Sequence, residues 1–162
     1  MPTNDEFARA VVGEDELGTV VRAHIHIEYE LEQFLNAALP YPEEIGRLEY
    51  AMRVRLALAM GLRVGLKAPL NSLGSIRNKF SHRLDAQITA KDMLDFHNTF
   101  AAVDKHAIDH AFETMRSRNS DQKFTVLKAL SDKSKFALFA AGLLSAVRFE
   151  TMNLKARQQI SN

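Results

Sequence analysis

A chain of 162 residues, 46% hydrophobic and 25% charged, is long enough to form one ordinary domain around its own core without covalent staples. It contains no cysteine, which excludes disulfides and thiolate metal sites and suits a reducing compartment. A formal net charge of +1 argues against a protein that holds duplex DNA through many phosphate contacts, and leaves nucleic acid open as a partner without indicating it.

The opening "MPTNDEFARAVVGEDEL" is acidic and lacks the basic-then-apolar order of a secretory signal, so the expected location is cytoplasmic. An amphipathic turn is predicted from about Asn4 to Val12, ended by Gly13. A long helix follows over about Glu14 to Leu39, with Leu17, Val21, His24, Glu28, Leu31, Leu35 and Ala38 recurring every three or four residues on one stripe. "PYP", Pro40 to Pro42, stops it, because proline lacks the donor and restricts the residue before it.

A second helix is predicted from about Glu43 to Val64, with Leu48, Ala51, Arg55, Leu58, Ala59 and Leu62 on one face and Gly61 and Gly65 loosening its end. The third runs from about Pro69 to Ser81, with Leu70, Leu73, Ile76 and Phe80 as its apolar row. "DAQIT" reads as a loop in which Thr89 and Asp92 open a fourth helix with a capping box. That helix carries Met93, Phe96, Phe100, Val103, Ala107, Ala111 and Met115 before it frays in "RSRNSD". A short helix over about Gln122 to Leu130 and a final one over about Lys133 to Asn153 precede a polar tail from about residue 154. No alternating strand with turn signals appears, so the expected class is a single all-α domain, a bundle of about five to seven helices.

Within the last helix, "FALFAAGLLSAVRF" is apolar nearly all round, the mark of a helix buried at the centre of a bundle or in a dimer interface. Its uncharged run of about 12 residues would cover roughly 18 Å of the roughly 30 Å of a bilayer, so no membrane span is expected. Charge is also unevenly placed. From Glu14 to Glu44 eight acidic residues stand against one basic residue, Arg22, whereas from Tyr50 to Leu84 there are seven basic residues and no acidic one. Such blocks neutralise each other across a helix pair or leave a basic surface for an anionic partner.

The chemistry-bearing stretch is "RNKFSH", Arg77 to His82. Five residues apart on a continuous helix, Arg77 and His82 are separated by about 140°, and they converge only if the helix ends near Ser81. Converged, His82 could take the proton of a ribose 2′-hydroxyl while Arg77 holds a phosphate, without a metal, and Asn78 could orient either group. The same residues also fit a polar clasp. His24 and Glu28 lie one turn apart in the stripe of the first helix, and a buried Glu28 needs a cation, for which Arg77 is the natural candidate. Asn78 would then satisfy terminal carbonyls and His82 would cap the helix. His97, His106 and His110 invite comparison with a metal site, but only His106 and His110 share a face and no third ligand has a compelling spacing, so neither metal nor cofactor is expected. Phosphate-loop and serine-nucleophile motifs are missing.

"RNKFSH" matches the R-x4-6-H signature of HEPN domains, including a polar residue after the arginine. Together with "HIHIEYELEQFLNAAL" and "RLEYAMRVRLALAMGL", and within "LNSLGSIRNKFSH", it gives a pattern over about residues 20 to 100 that resembles the mannitol operon repressor (MtlR) family, an all-α group related to HEPN proteins. The resemblance implies a HEPN-like bundle and a negative regulator of sugar-alcohol uptake and use. Acting without a recognisable DNA-reading motif, such a protein would work through protein contacts, as a homodimer with a further protein partner. Its HEPN side implies an alternative, a metal-independent endoribonuclease of toxin or defence type with Arg77 and His82 as catalytic residues. A domain that binds a nucleotide or small anion there without cleaving it is a third reading.

Overall fold

Asp15 opens the first helix of the structure, a computed structural model that describes residues 15–118 and 126–160. Its carboxylate accepts the Gly18 N–H at 2.7 Å, filling one of the donors a helix start leaves bare. This helix, α1 (Glu16–Ala38), stops where Leu39 turns extended ahead of Pro40, as expected. The turn foreseen at Asn4 to Val12 lies outside the described residues. Six α-helices and three short 3-10 turns, with no strand, make up the described residues, which is the all-α bundle the sequence implied.

The buried side of α1 is rotated by roughly a quarter turn from the expected stripe. Val20, Ala23, Ile27, Leu31 and Phe34 are buried, whereas Leu17 and Val21 are exposed. The helix offers apolar residues on more than one side, and the side against α6 (Asp132–Ile160) is the one buried, since these two helices pack together more extensively than any other pair. Glu30, at 2% exposure, is thereby the buried carboxylate of α1, and Arg148 Nε of α6 donates to it at 2.7 Å.

The second helix is much shorter than its periodicity suggested. Pro42–Ile45 forms a separate 3-10 turn, Gly46 takes φ 64°, and α2 runs only over Tyr50–Ala59, followed by Gly61 at φ 102°. Two glycines in the left-handed region, where other side chains are strained, bound the helix. Val54 and Ala57 are its buried residues. The next helix, α3 (Lys67–His82), buries the expected Leu70, Leu73, Ile76 and Phe80.

Thr89 and Asp92 form the foreseen capping box at the start of α4 (Ala90–Thr99), with Asp92 N–H donating to Thr89 Oγ1 at 3.2 Å and Thr89 N–H to Asp92 Oδ2 at 2.8 Å. The single long helix expected beyond it is broken. Phe100 is extended, with its ring 5.2 Å from that of Phe96, and α5 (Ala102–Arg118) restarts two residues later. The break changes which residues face the core. Asp104, Ile108 and Phe112 are buried, whereas Val103 and Met115 are exposed. The inward-turned Asp104 joins a three-way ion pair: Arg63 of the α2–α3 connection donates to Asp104 at 2.7 and 3.1 Å and to Glu150 of α6 at 3.1 Å.

Only Leu127–Ala129, a 3-10 turn, is described of the short helix expected before α6. In α6 itself Phe136, Ala137, Phe139, Ala140, Leu143, Leu144 and Val147 are buried, so the apolar run is the central helix of the bundle. Gly142 permits close approach of α5: a Cβ there would come within 2.5 Å of Ile108 Cγ1. The polar residues from 154 onward continue the helix to Ile160 instead of leaving it, with 155–160 exposed. No helix among the described residues is long and apolar enough to cross a membrane.

Candidate functional site

Where α1, α2 and α3 meet, Tyr50 of α2 is the residue that ties them. Its hydroxyl donates to the Leu70 carbonyl of α3 at 2.8 Å, and its ring centroid lies 4.3 Å from that of His24 on α1. The ring also occupies the space a side chain at Gly74 would need, since a Cβ there would meet it at 2.9 Å. Burial, with the nearby Glu28 carboxylate second, pushes the Tyr50 hydroxyl well above the ordinary phenol range, so it stays protonated as a donor.

Glu28 takes its cation from α2. Arg53 Nη1 lies 2.9 Å from Glu28 Oε1, and Arg53 also donates to the Leu48 carbonyl at 3.4 Å. The expected Glu28–Arg77 clasp is therefore corrected to Glu28–Arg53. The physical reason is the course of α2 beside α1: with Tyr50 against His24, Arg53 is one turn further along and comes level with Glu28, one turn beyond His24. Glu28 keeps 29% of its side-chain exposure and is not the deeply buried carboxylate that a strong clasp needs.

His24, at 6% exposure, is held down to a pKa of about 4 by burial first, then by the Arg77 and Arg53 guanidinium groups. At neutral pH it is an uncharged imidazole, with Nδ1 3.7 Å from Glu28 Oε2. Two of the residues named from the sequence, His24 and Glu28, are thus together, and Arg77 is close enough to act on the charge of His24. Arg77 itself is exposed and donates to the Oδ1 of its neighbour Asn78 at 3.3 Å, so that Asn78 orients the arginine instead of capping helix carbonyls. His82 is the last residue of α3 and exposed. Because α3 is unbroken from Arg77 to His82, the two side chains leave it in directions about 140° apart.

Tyr50 and Arg53 are the members of this junction that the motif did not point to. The signal was present as a pair spaced by three on α2 facing a pair spaced by four on α1, but it becomes readable only when the start of α2 is known. Among the remaining histidines, His106 and His110 are exposed, while His97 is half-buried against the Phe139 ring at 5.1 Å with its Nε2 unpartnered. No group of three or more His, Cys, Asp or Glu side chains among the described residues is arranged to hold a metal ion. A shallow depression of about 460 Å³ lies apart from the junction, between Val64, Lys67 and Asn71 on one side and Thr99, Phe100 and Ala101 on the other. Comparisons of the chain with protein-family models, with curated proteins and with solved structures find no match.

Proposed function

We propose that the protein is a cytoplasmic transcriptional regulator of the mannitol-repressor type, acting as a homodimer through protein contacts instead of reading bases directly. The observation that supports contact with protein is an exposed apolar ridge on α1, Leu17, Val21, Ile25 and Tyr29, running beside His24 and its neighbour Arg77. Large apolar side chains in a contiguous exposed row are what protein interfaces use. The sugar-alcohol part of the reading rests on the resemblance of the three segments ending in "RNKFSH". The ribonuclease alternative draws less support, because Arg77 and His82 leave α3 in different directions within one chain.

Deletion of the gene in its host should raise transcripts for sugar-alcohol uptake and dehydrogenase functions in the absence of the sugar alcohol, and complementation should lower them. Unchanged transcripts, combined with chelator-resistant cleavage of RNA to 2′,3′-cyclic phosphate ends that Arg77→Ala and His82→Ala each abolish, would replace the regulator with a ribonuclease.

A further inference from the structure

Six histidines are spread along the chain, and α5 holds two of them one turn apart. His106 and His110 lie on the side of α5 opposite the buried Asp104, Ile108 and Phe112, and both are exposed. Neither imidazole makes a hydrogen bond or an ion pair among the described residues. The remaining histidines offer no such pair. His24 is buried against Tyr50, His26 stands two positions on and leaves α1 in another direction, His82 is alone at the end of α3, and His97 is turned against Phe139.

Residues four apart on a helix have their Cβ atoms about 5–6 Å from one another, close enough for two imidazole nitrogens to meet on one ion at about 2.0–2.1 Å each. The same spacing sets the two zinc-binding histidines of an H-E-x-x-H helix. Because α5 is continuous over Ala102–Arg118, the fold fixes that spacing before any ion arrives. Lys105 is the one lysine or arginine within four residues of either histidine, and Asp109 and Glu113 stand against it on the exposed surface, so the face does not repel a cation. Glu113 is engaged by Arg116 at 2.6 Å, and no third histidine or carboxylate among the described residues is arranged to join the pair.

We propose that His106 and His110 form a surface chelate for a late first-row divalent cation, with two imidazole nitrogens from the protein and the other positions taken by water. Two protein ligands are too few for a structural metal, which is held by four, so the bound ion exchanges freely with solution. Affinity at such a nitrogen site runs in the order that places copper(II) above nickel(II) and zinc(II), while magnesium, which demands oxygen ligands, is not held. The chelate is independent of the regulator proposed above and is measured on the protein alone.

Equilibrium dialysis of the untagged full chain against copper(II) chloride from about 1 to about 500 µM tests it, a range that brackets a micromolar dissociation constant. In NMR spectra with copper(II) below one equivalent, the backbone amides of residues 103–113 should broaden first. His106→Ala and His110→Ala should each weaken binding at least about 30-fold, because the second imidazole of a chelate acts at a high effective concentration. His110→Ala combined with Ala111→His keeps two imidazoles but sets them about 140° apart around α5, and it should bind as weakly as His110→Ala alone. All three positions are exposed, so the thermal midpoint of each variant should stay at that of the wild type. Copper(II) that first broadens other parts of the chain overturns the inference. So does a single-histidine variant that binds within about threefold of the wild type, or a shifted pair that binds as well as the native one. Displacement of the copper by an equal concentration of magnesium would overturn it too, by assigning the ion to the Asp109 and Glu113 carboxylates instead.

Discussion

Arg148→Met should be among the most damaging single changes outside the apolar core. Methionine keeps much of the length and apolar character of the arginine stem but removes the charge that faces Glu30. Glu30 is 2% exposed and receives Arg148 Nε at 2.7 Å, so the variant leaves a carboxylate almost wholly out of water without its cation. Breaking a buried pair in this way costs about 3–5 kcal/mol. Because Arg148 keeps 18% of its side-chain exposure, water reaches part of the site and the lower end, about 3 kcal/mol, is expected. For a domain of this size that lowers the thermal midpoint by about 6–12 °C. Circular dichroism during heating and urea titration should both show it. Adding Glu30→Gln removes the stranded charge and should recover about 2 kcal/mol. An Arg148→Met protein within about 1 kcal/mol of the wild type, or a double variant no more stable than the single, would refute the reasoning.

Glu28→Ala should cost only about 1 kcal/mol in a urea titration, because Glu28 and Arg53 are both partly exposed; a loss of more than about 3 kcal/mol would mean that the pair is far better shielded than its geometry indicates. The imidazole of His24, followed by NMR, should titrate near pH 4 and stay neutral through pH 6, and a midpoint above pH 5.5 would contradict its burial beside two arginines. Between about pH 6.5 and pH 4 the unfolded chain therefore binds a proton that the folded one refuses, so stability falls as pH drops through that window, and His24→Phe should flatten the slope. Gly142→Leu should destabilise by about 1–3 kcal/mol through collision with Ile108, and a protein as stable as the wild type would show that α5 moves aside freely.

The sequence by itself determined what local chemistry and one-dimensional periodicity can specify. The all-α class, the stop at Pro40, the row Leu70, Leu73, Ile76 and Phe80, the Thr89–Asp92 capping box and the burial of the "FALFAAGLLSAV" run all follow from residues a few positions apart, whereas the packing alone put that run at the centre of the bundle. It also brought His24 and Glu28 together on one helix. Tertiary structure decided everything that depended on choosing between equivalent partners. α1 has apolar residues on two sides, and the packing of α6 chose Val20, Ala23 and Ile27 over Leu17 and Val21. Glu28 had several arginines to choose from, and the position of α2 chose Arg53. The helix after Thr89 could have run on without a break, but Asp104 is turned inward to meet Arg63, a residue 41 positions away. A helix's own pattern says which residues could be buried or paired, and only the helices packed against it settle which of them are.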